Sequence, residues 1–141
     1  MNYFTFREFT RESVLPVHVA DAILKHHMPA LNAVREKLYG PIYISERSGF
    51  RSVPWERSQG RSGNSQHTFR NSDGTPCLGA VDVTTVPFKL EELGYLLVKY
   101  TGYRRIAWYP EQGFYHCDFK ESDHRLYQQG DDGWKRVEEW T

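Results

Sequence analysis

Three side chains of this 141-residue sequence, His67, Asp82 and His116, are of the types that hold a catalytic metal ion. Two imidazoles and a carboxylate can bind zinc and leave a fourth position for water, whose pKa then falls to about 7. Each candidate has a distinct setting. His67 follows the Asn64-Ser65-Gln66 loop, Asp82 interrupts the apolar run LGAVDVT, and His116 lies in the aromatic run FYHCDF. An acid inside an apolar run is costly to bury unless it is paired or bound to metal. Taken singly, each residue also has an ordinary alternative: a surface or hydrogen-bonded core histidine, or a paired acid.

The elements around them read as α+β. Residues 16–39 carry apolar positions Val19, Ile23, Leu24, Leu31, Val34 and Leu38 at roughly helical spacing, with Pro29 as a kink and Gly40-Pro41 as the stop. Ile42-Tyr43-Ile44 is a short strand, and residues 78–84 form another. Residues 88–100 predict a second helix ended by Gly102, and residues 106–109 and 114–119 an antiparallel hairpin. The Tyr3, Phe4 and Phe6 rings are expected on the core, and the tail beyond Asp131-Asp132-Gly133 as a closing hairpin or a loose end. Residues 51–75 are irregular, a length that compact domains keep for function.

Composition excludes several classes. Eighteen basic residues balance eighteen acidic ones, so nothing suggests nucleic acid or an anionic membrane as a partner. The longest apolar runs are too short to span a bilayer, and the N-terminus lacks a basic stretch followed by an apolar one, so no secretion signal is expected. Cys77 and Cys117 read as free thiols in a reducing compartment. The 9 Tyr, 8 Phe and 4 Trp exceed what so small a core needs, which predicts a groove lined with rings. Trp55, Trp108, Tyr109 and Tyr115 are candidates for its walls, each equally a candidate for the core. His18, His26, His27 and His124 read as solvated.

In order along the chain, YFTFREFTRES, GPIYISERSGFRS, NSQH, GAVDV and FYHCDF resemble the motifs of the zinc D-Ala-D-Ala carboxypeptidases and dipeptidases. That family includes phage L-alanoyl-D-glutamate endopeptidases and shares its fold with the hedgehog signalling domain. The resemblance covers most of the chain. It implies one zinc peptidase domain over residues 1–141, with a small antiparallel sheet and flanking helices. It makes His67, Asp82 and His116 the Zn²⁺ ligands, Arg51 the cation that meets the substrate carbonyl or the oxyanion, and Ser65 a residue that shapes the site. It further implies a peptidoglycan peptide as substrate, bound by a monomer that acts on the wall after release or as a virion component.

The sequence departs from the family's pattern in two places. Residues 68–81 are longer than the usual segment between the first two ligands, which suggests an inserted hairpin or flap. Gly113 stands where many relatives place the acid that moves protons. The substitutes are Glu111, at a position where other relatives place a histidine, and Asp118, which shares a strand face with His116 and could instead orient a ligand. A chain without its general base would be a zinc-containing cell-wall-binding or virion structural domain.

Overall fold

The computed structural model of the chain describes residues 1–138. Its N-terminal helical segment shows how a buried stripe sets local geometry. Val19, Ile23, His27 and Leu31 are spaced four apart and all buried. An ideal helix, at 3.6 residues per turn, would drift off that stripe. The chain compensates with a wider turn: α1 (Val17–Ala22) passes through a π-helical segment (Ile23–His27) into α2 (Met28–Leu38), whose first turn contains Pro29. Leu24 consequently points outward and is about half exposed.

Six strands form one sheet in the order β1-β2-β4-β3-β5-β6. They are β1 (Tyr43–Ile44), β2 (Ala80–Thr84), β3 (Arg105–Tyr109), β4 (Phe114–Asp118), β5 (Leu126–Gly130) and β6 (Gly133–Arg136). The expected α+β class and flanking helices are present. All neighbouring pairs are antiparallel except β3 with β5, which run parallel. The tail is therefore a hairpin added to the sheet edge. Among the described residues, no helix is long and apolar enough to cross a membrane.

Strand alternation separates the two sheet faces. Val81, Val83, Ile106, Tyr115 and Cys117 are fully buried and belong to the core, together with α2 and Leu93 and Leu97 of α4 (Leu90–Tyr100). The other face carries Asp82, His116, Asp118, Arg105 and Tyr109. Asp82 lies opposite His116 across β2 and β4, and His116 lies opposite Ala107 across β4 and β3. The polar face is thus a row of chemistry held in place by an apolar row behind it.

Two segments differ from expectation. Residues 51–75 are not wholly irregular: α3 (Val53–Ser58) is capped by Ser52, whose hydroxyl accepts the Trp55 amide at 3.2 Å, and Pro54 stands in its first turn. The segment between His67 and Asp82 does contain a small hairpin, with Arg70 bridged to Pro76. Pro76, Cys77 and Leu78 face α1 and its π-helical continuation. Of the N-terminal rings, Phe4 is buried, whereas Tyr3 and Phe6 remain more than a third exposed.

Candidate metal centre

His67 sits on a short 3₁₀ turn (Gln66–Thr68) whose start is capped by the Ser65 hydroxyl, 3.2 Å from the His67 amide. Its Nδ1 lies 2.8 Å from the carbonyl of Gly49. Donating there leaves the Nε2 lone pair free to point at β2 and β4. Gly49 also lets the Phe9 backbone pack closely against this segment, because a Cβ there would stand 2.5 Å from the Phe9 carbonyl oxygen.

Three atoms meet in front of the sheet. Asp82 Oδ1 is 3.1 Å from His67 Nε2 and 3.2 Å from His116 Nδ1, and the two nitrogens are 3.2 Å apart. All three residues are buried. Among the described residues, this is the one group of His, Cys, Asp and Glu side chains whose ligand atoms all lie within 4.8 Å of one another. The donor set fits zinc, since a tetrahedron with bonds of about 2.0 to 2.1 Å has edges of roughly 3.3 to 3.4 Å.

The far side of each ligand is also fixed. His116 Nε2 lies 2.7 Å from Asp118 Oδ2, and Arg105 braces Asp118 through Nε at 2.8 Å and a second guanidinium nitrogen at 2.5 Å. With the Nε2 proton directed at Asp118, His116 presents Nδ1 to the ligand cluster, the carboxylate–histidine–metal arrangement. Asp82 Oδ2 accepts from the Ser48 hydroxyl at 2.8 Å and from Arg51 at 3.3 Å.

Lone pairs converging this closely require a cation between them. Burial works against a charged His116, but the hydrogen bonds it donates to Asp118 and Asp82, with the charge of those carboxylates, outweigh it and raise its pKa to about 9. Burial likewise opposes ionising Asp82, yet the two imidazoles hold its carboxyl well below the usual carboxylate range. A metal ion would take the place of the proton that this network otherwise retains.

The cluster opens into a cavity of about 440 Å³. Its walls carry Arg51, Arg61, Arg105 and Lys120, with Asp82 as the one acid, and aromatic surface comes from Tyr109, Phe114 and Trp134. Arg51 reaches Ser48 and Asp82 with one nitrogen, and its other terminal nitrogen lies 3.8 Å from the fully buried Glu56. Glu56 also holds Arg61 at 2.7 Å.

A family model described as Peptidase M15 matches residues 2–118, which is most of the chain and includes every residue of the cluster. The chain belongs to the M15 peptidase family. No curated protein and no solved structure matches it significantly.

Within this M15 domain, the structure brings five of the residues picked from the sequence to one place: His67, Asp82, His116, Arg51 and Ser65 all line the cavity. Glu111 is not among the lining residues; it is exposed on the turn between β3 and β4. The antiparallel register explains this, because Tyr109 pairs with Phe114 at the end of the ladder and Glu111 lies beyond it. Asp118 is fully buried behind His116 and paired with Arg105. Burial would raise its pKa, but His116 and Arg105 lower it to about 2, so it fits the positioning role and not that of a base. Of the four candidate wall aromatics, Tyr109 lines this cavity and Trp55 the adjoining cleft beyond Arg51 and Arg61, whereas Trp108 and Tyr115 lie on the opposite sheet face.

Sequence reasoning passed over Ser48, Glu56, Arg105 and Trp134. The pattern Ser52-x-Pro54-x-Glu56 announces a capped helix and could have placed Glu56 on it. Trp134 carries no such signal, because the β5–β6 hairpin delivers it from outside the matched region. His27 is a correction: it is fully buried, not solvated. Its place four residues after Ile23 and four before Leu31 was the available sign.

Proposed function

We propose that this M15 domain is a zinc-dependent peptidase that hydrolyses peptide bonds in peptidoglycan stem peptides, in the manner of a phage lysin. The convergence of His67 Nε2, Asp82 Oδ1 and His116 Nδ1 at 3.1–3.2 Å on the floor of an open cavity carries the zinc assignment. The cell-wall substrate follows from the ordered motifs that the chain shares with enzymes of that specificity. Bound to these three residues, zinc supplies Lewis acidity, polarising a carbonyl and lowering the pKa of water to about 7.

The chain's own residues do the rest. Arg51, braced by Asp82 and Glu56, offers a preorganised charge to the carbonyl oxygen, where negative charge grows on the way to the tetrahedral transition state. Arg61 and Lys120 give the cavity a positive rim suited to the carboxylates of stem peptides. Asp118 and Arg105 hold the His116 ring in its metal-facing orientation. The supporting experiment is incubation of the zinc-loaded protein with purified peptidoglycan from several wall chemotypes. New amino groups should appear, and they should not appear with His116→Ala.

A second reading is that the domain binds wall peptides without cutting them. It is favoured by one observation: among the described residues lining the cavity, Asp82 is the one carboxylate and His67 and His116 the two imidazoles, so every side chain of the usual proton-accepting kinds belongs to the ligand cluster. Retention on peptidoglycan without release of amino groups, with zinc bound, would select this reading.

A further inference from the structure

Beside the ligand cluster stands a hydroxyl whose geometry is fixed on three sides. Tyr109 lies two residues beyond Ala107 on β3, and Ala107 pairs with His116, so the Tyr109 side chain shares the sheet face of the ligands. Its ring stacks on Phe114 with centroids 4.5 Å apart and planes 16° from parallel. The Trp134 indole N–H donates to the Tyr109 oxygen at 2.9 Å. An indole N–H is a donor only, so Tyr109 must be the acceptor in this bond and its own proton is directed elsewhere. No described residue accepts that proton, and Tyr109 lines the same cavity as His67, Asp82 and His116.

Trp134 is itself anchored to the site. Its ring lies 5.0 Å from that of His116 and 5.5 Å from that of Tyr127, and the Arg105 guanidinium sits 4.9 Å over it. Residues beyond 118 fall outside the family match, so the hairpin bearing Trp134 is a feature that the family assignment does not account for. Burial keeps the Tyr109 phenol protonated above its ordinary range, which makes it a hydrogen-bond donor near neutrality and not a base.

We infer that Tyr109 is a catalytic hydrogen-bond donor: its hydroxyl meets the carbonyl oxygen of the bound peptide opposite Arg51, and Trp134, as a positioning residue, aims it. Together, Arg51 and Tyr109 form a two-donor site for the oxygen that becomes negative. This rests on the peptidase reading for its catalytic consequence. The contact itself can be read by binding alone.

The test compares wild-type protein, Tyr109→Phe and Trp134→Phe, all zinc-loaded and with metal content measured. Two quantities are followed: kcat and KM on the muropeptide that the wild-type protein cleaves, and affinity for an alanyl phosphinate dipeptide isostere by calorimetry. Tyr109→Phe should retain zinc, keep KM within about twofold, and lose on the order of 10- to 100-fold in both kcat and phosphinate affinity. Trp134→Phe keeps an aromatic ring but removes the donor, so it should show a smaller loss in the same two quantities. Unchanged phosphinate affinity in Tyr109→Phe would overturn the inference, as would a rise in KM with kcat intact. If wild-type protein cleaves no peptidoglycan yet binds the phosphinate at least tenfold better than Tyr109→Phe, the peptidase reading fails and the hydrogen-bond assignment stands.

Discussion

Two buried histidines in this molecule have opposite electrostatic fates. His27 is enclosed by Phe69, Tyr103 and Phe119; its Nδ1 lies 2.9 Å from the Tyr103 hydroxyl and its Nε2 2.7 Å from the Leu78 carbonyl. Among the described residues no carboxylate bonds to it, and burial lowers its pKa to about 4. His116 is also buried, at the floor of the cavity, but it stands between Asp82 and Asp118, which against the effect of burial raise its pKa to about 9. Burial alone therefore says little about what a histidine does. The partners decide: a carbonyl and a phenol make His27 a neutral structural link between the π-helical segment and the start of β2, whereas two carboxylates make His116 a seat for a cation.

The largest effects should fall on the core histidine. His27→Leu strands the Tyr103 hydroxyl and the Leu78 carbonyl, and losing two buried partners should cost about 3 kcal/mol in denaturant unfolding while zinc affinity stays unchanged. A loss of zinc with no change in stability would reverse the roles drawn above. The same residue sets an acid response. Its folded-state pKa of about 4 lies below the 6.5 of the free side chain, so the unfolded chain binds the proton more readily between those values. Stability should therefore fall as pH drops from 6.5 toward 4, by up to about 3 kcal/mol from this group. His27→Leu should remove that part of the slope; an unaltered slope would place its origin elsewhere.

At the proposed metal site, the effects should appear in affinity before stability. Asp118→Asn removes the charge behind His116, and loss of such a partner typically weakens metal binding 10- to 100-fold. Competition with a chromogenic chelator measures this directly. The smallest effect belongs to Glu111, exposed on its turn: Glu111→Gln should change kcat/KM on a cleaved muropeptide by less than about twofold. A loss of a hundredfold or more would return Glu111 to the reaction and require the β3–β4 turn to move.

How much of this was legible in the sequence follows from the same contrast. The cluster of His67, Asp82 and His116 was, because each lies in a short motif whose order along the chain is itself informative. The apolar and polar faces of β2 and β4 were too, since alternation around Asp82 and His116 is local. His27 was misread because helical periodicity was sought at 3.6 residues, whereas the buried stripe runs at four and is accommodated by the π-helical segment. Glu111 was assigned by its distance from His116 along the chain, a measure that a hairpin turn does not respect. Glu56 and Trp134 reach the site through tertiary packing: one from beneath Arg51, the other on a hairpin whose parallel pairing with β3 nothing local announces.

The central claim is that His67, Asp82 and His116 hold one zinc ion, and elemental analysis of the purified chain after dialysis tests it most directly. The account predicts about one zinc per chain in the wild-type protein and loss of that zinc in folded His67→Ala, Asp82→Ala and His116→Ala variants. A folded wild-type protein that retains no zinc when supplied with it, or variants that retain it undiminished, would contradict the assignment.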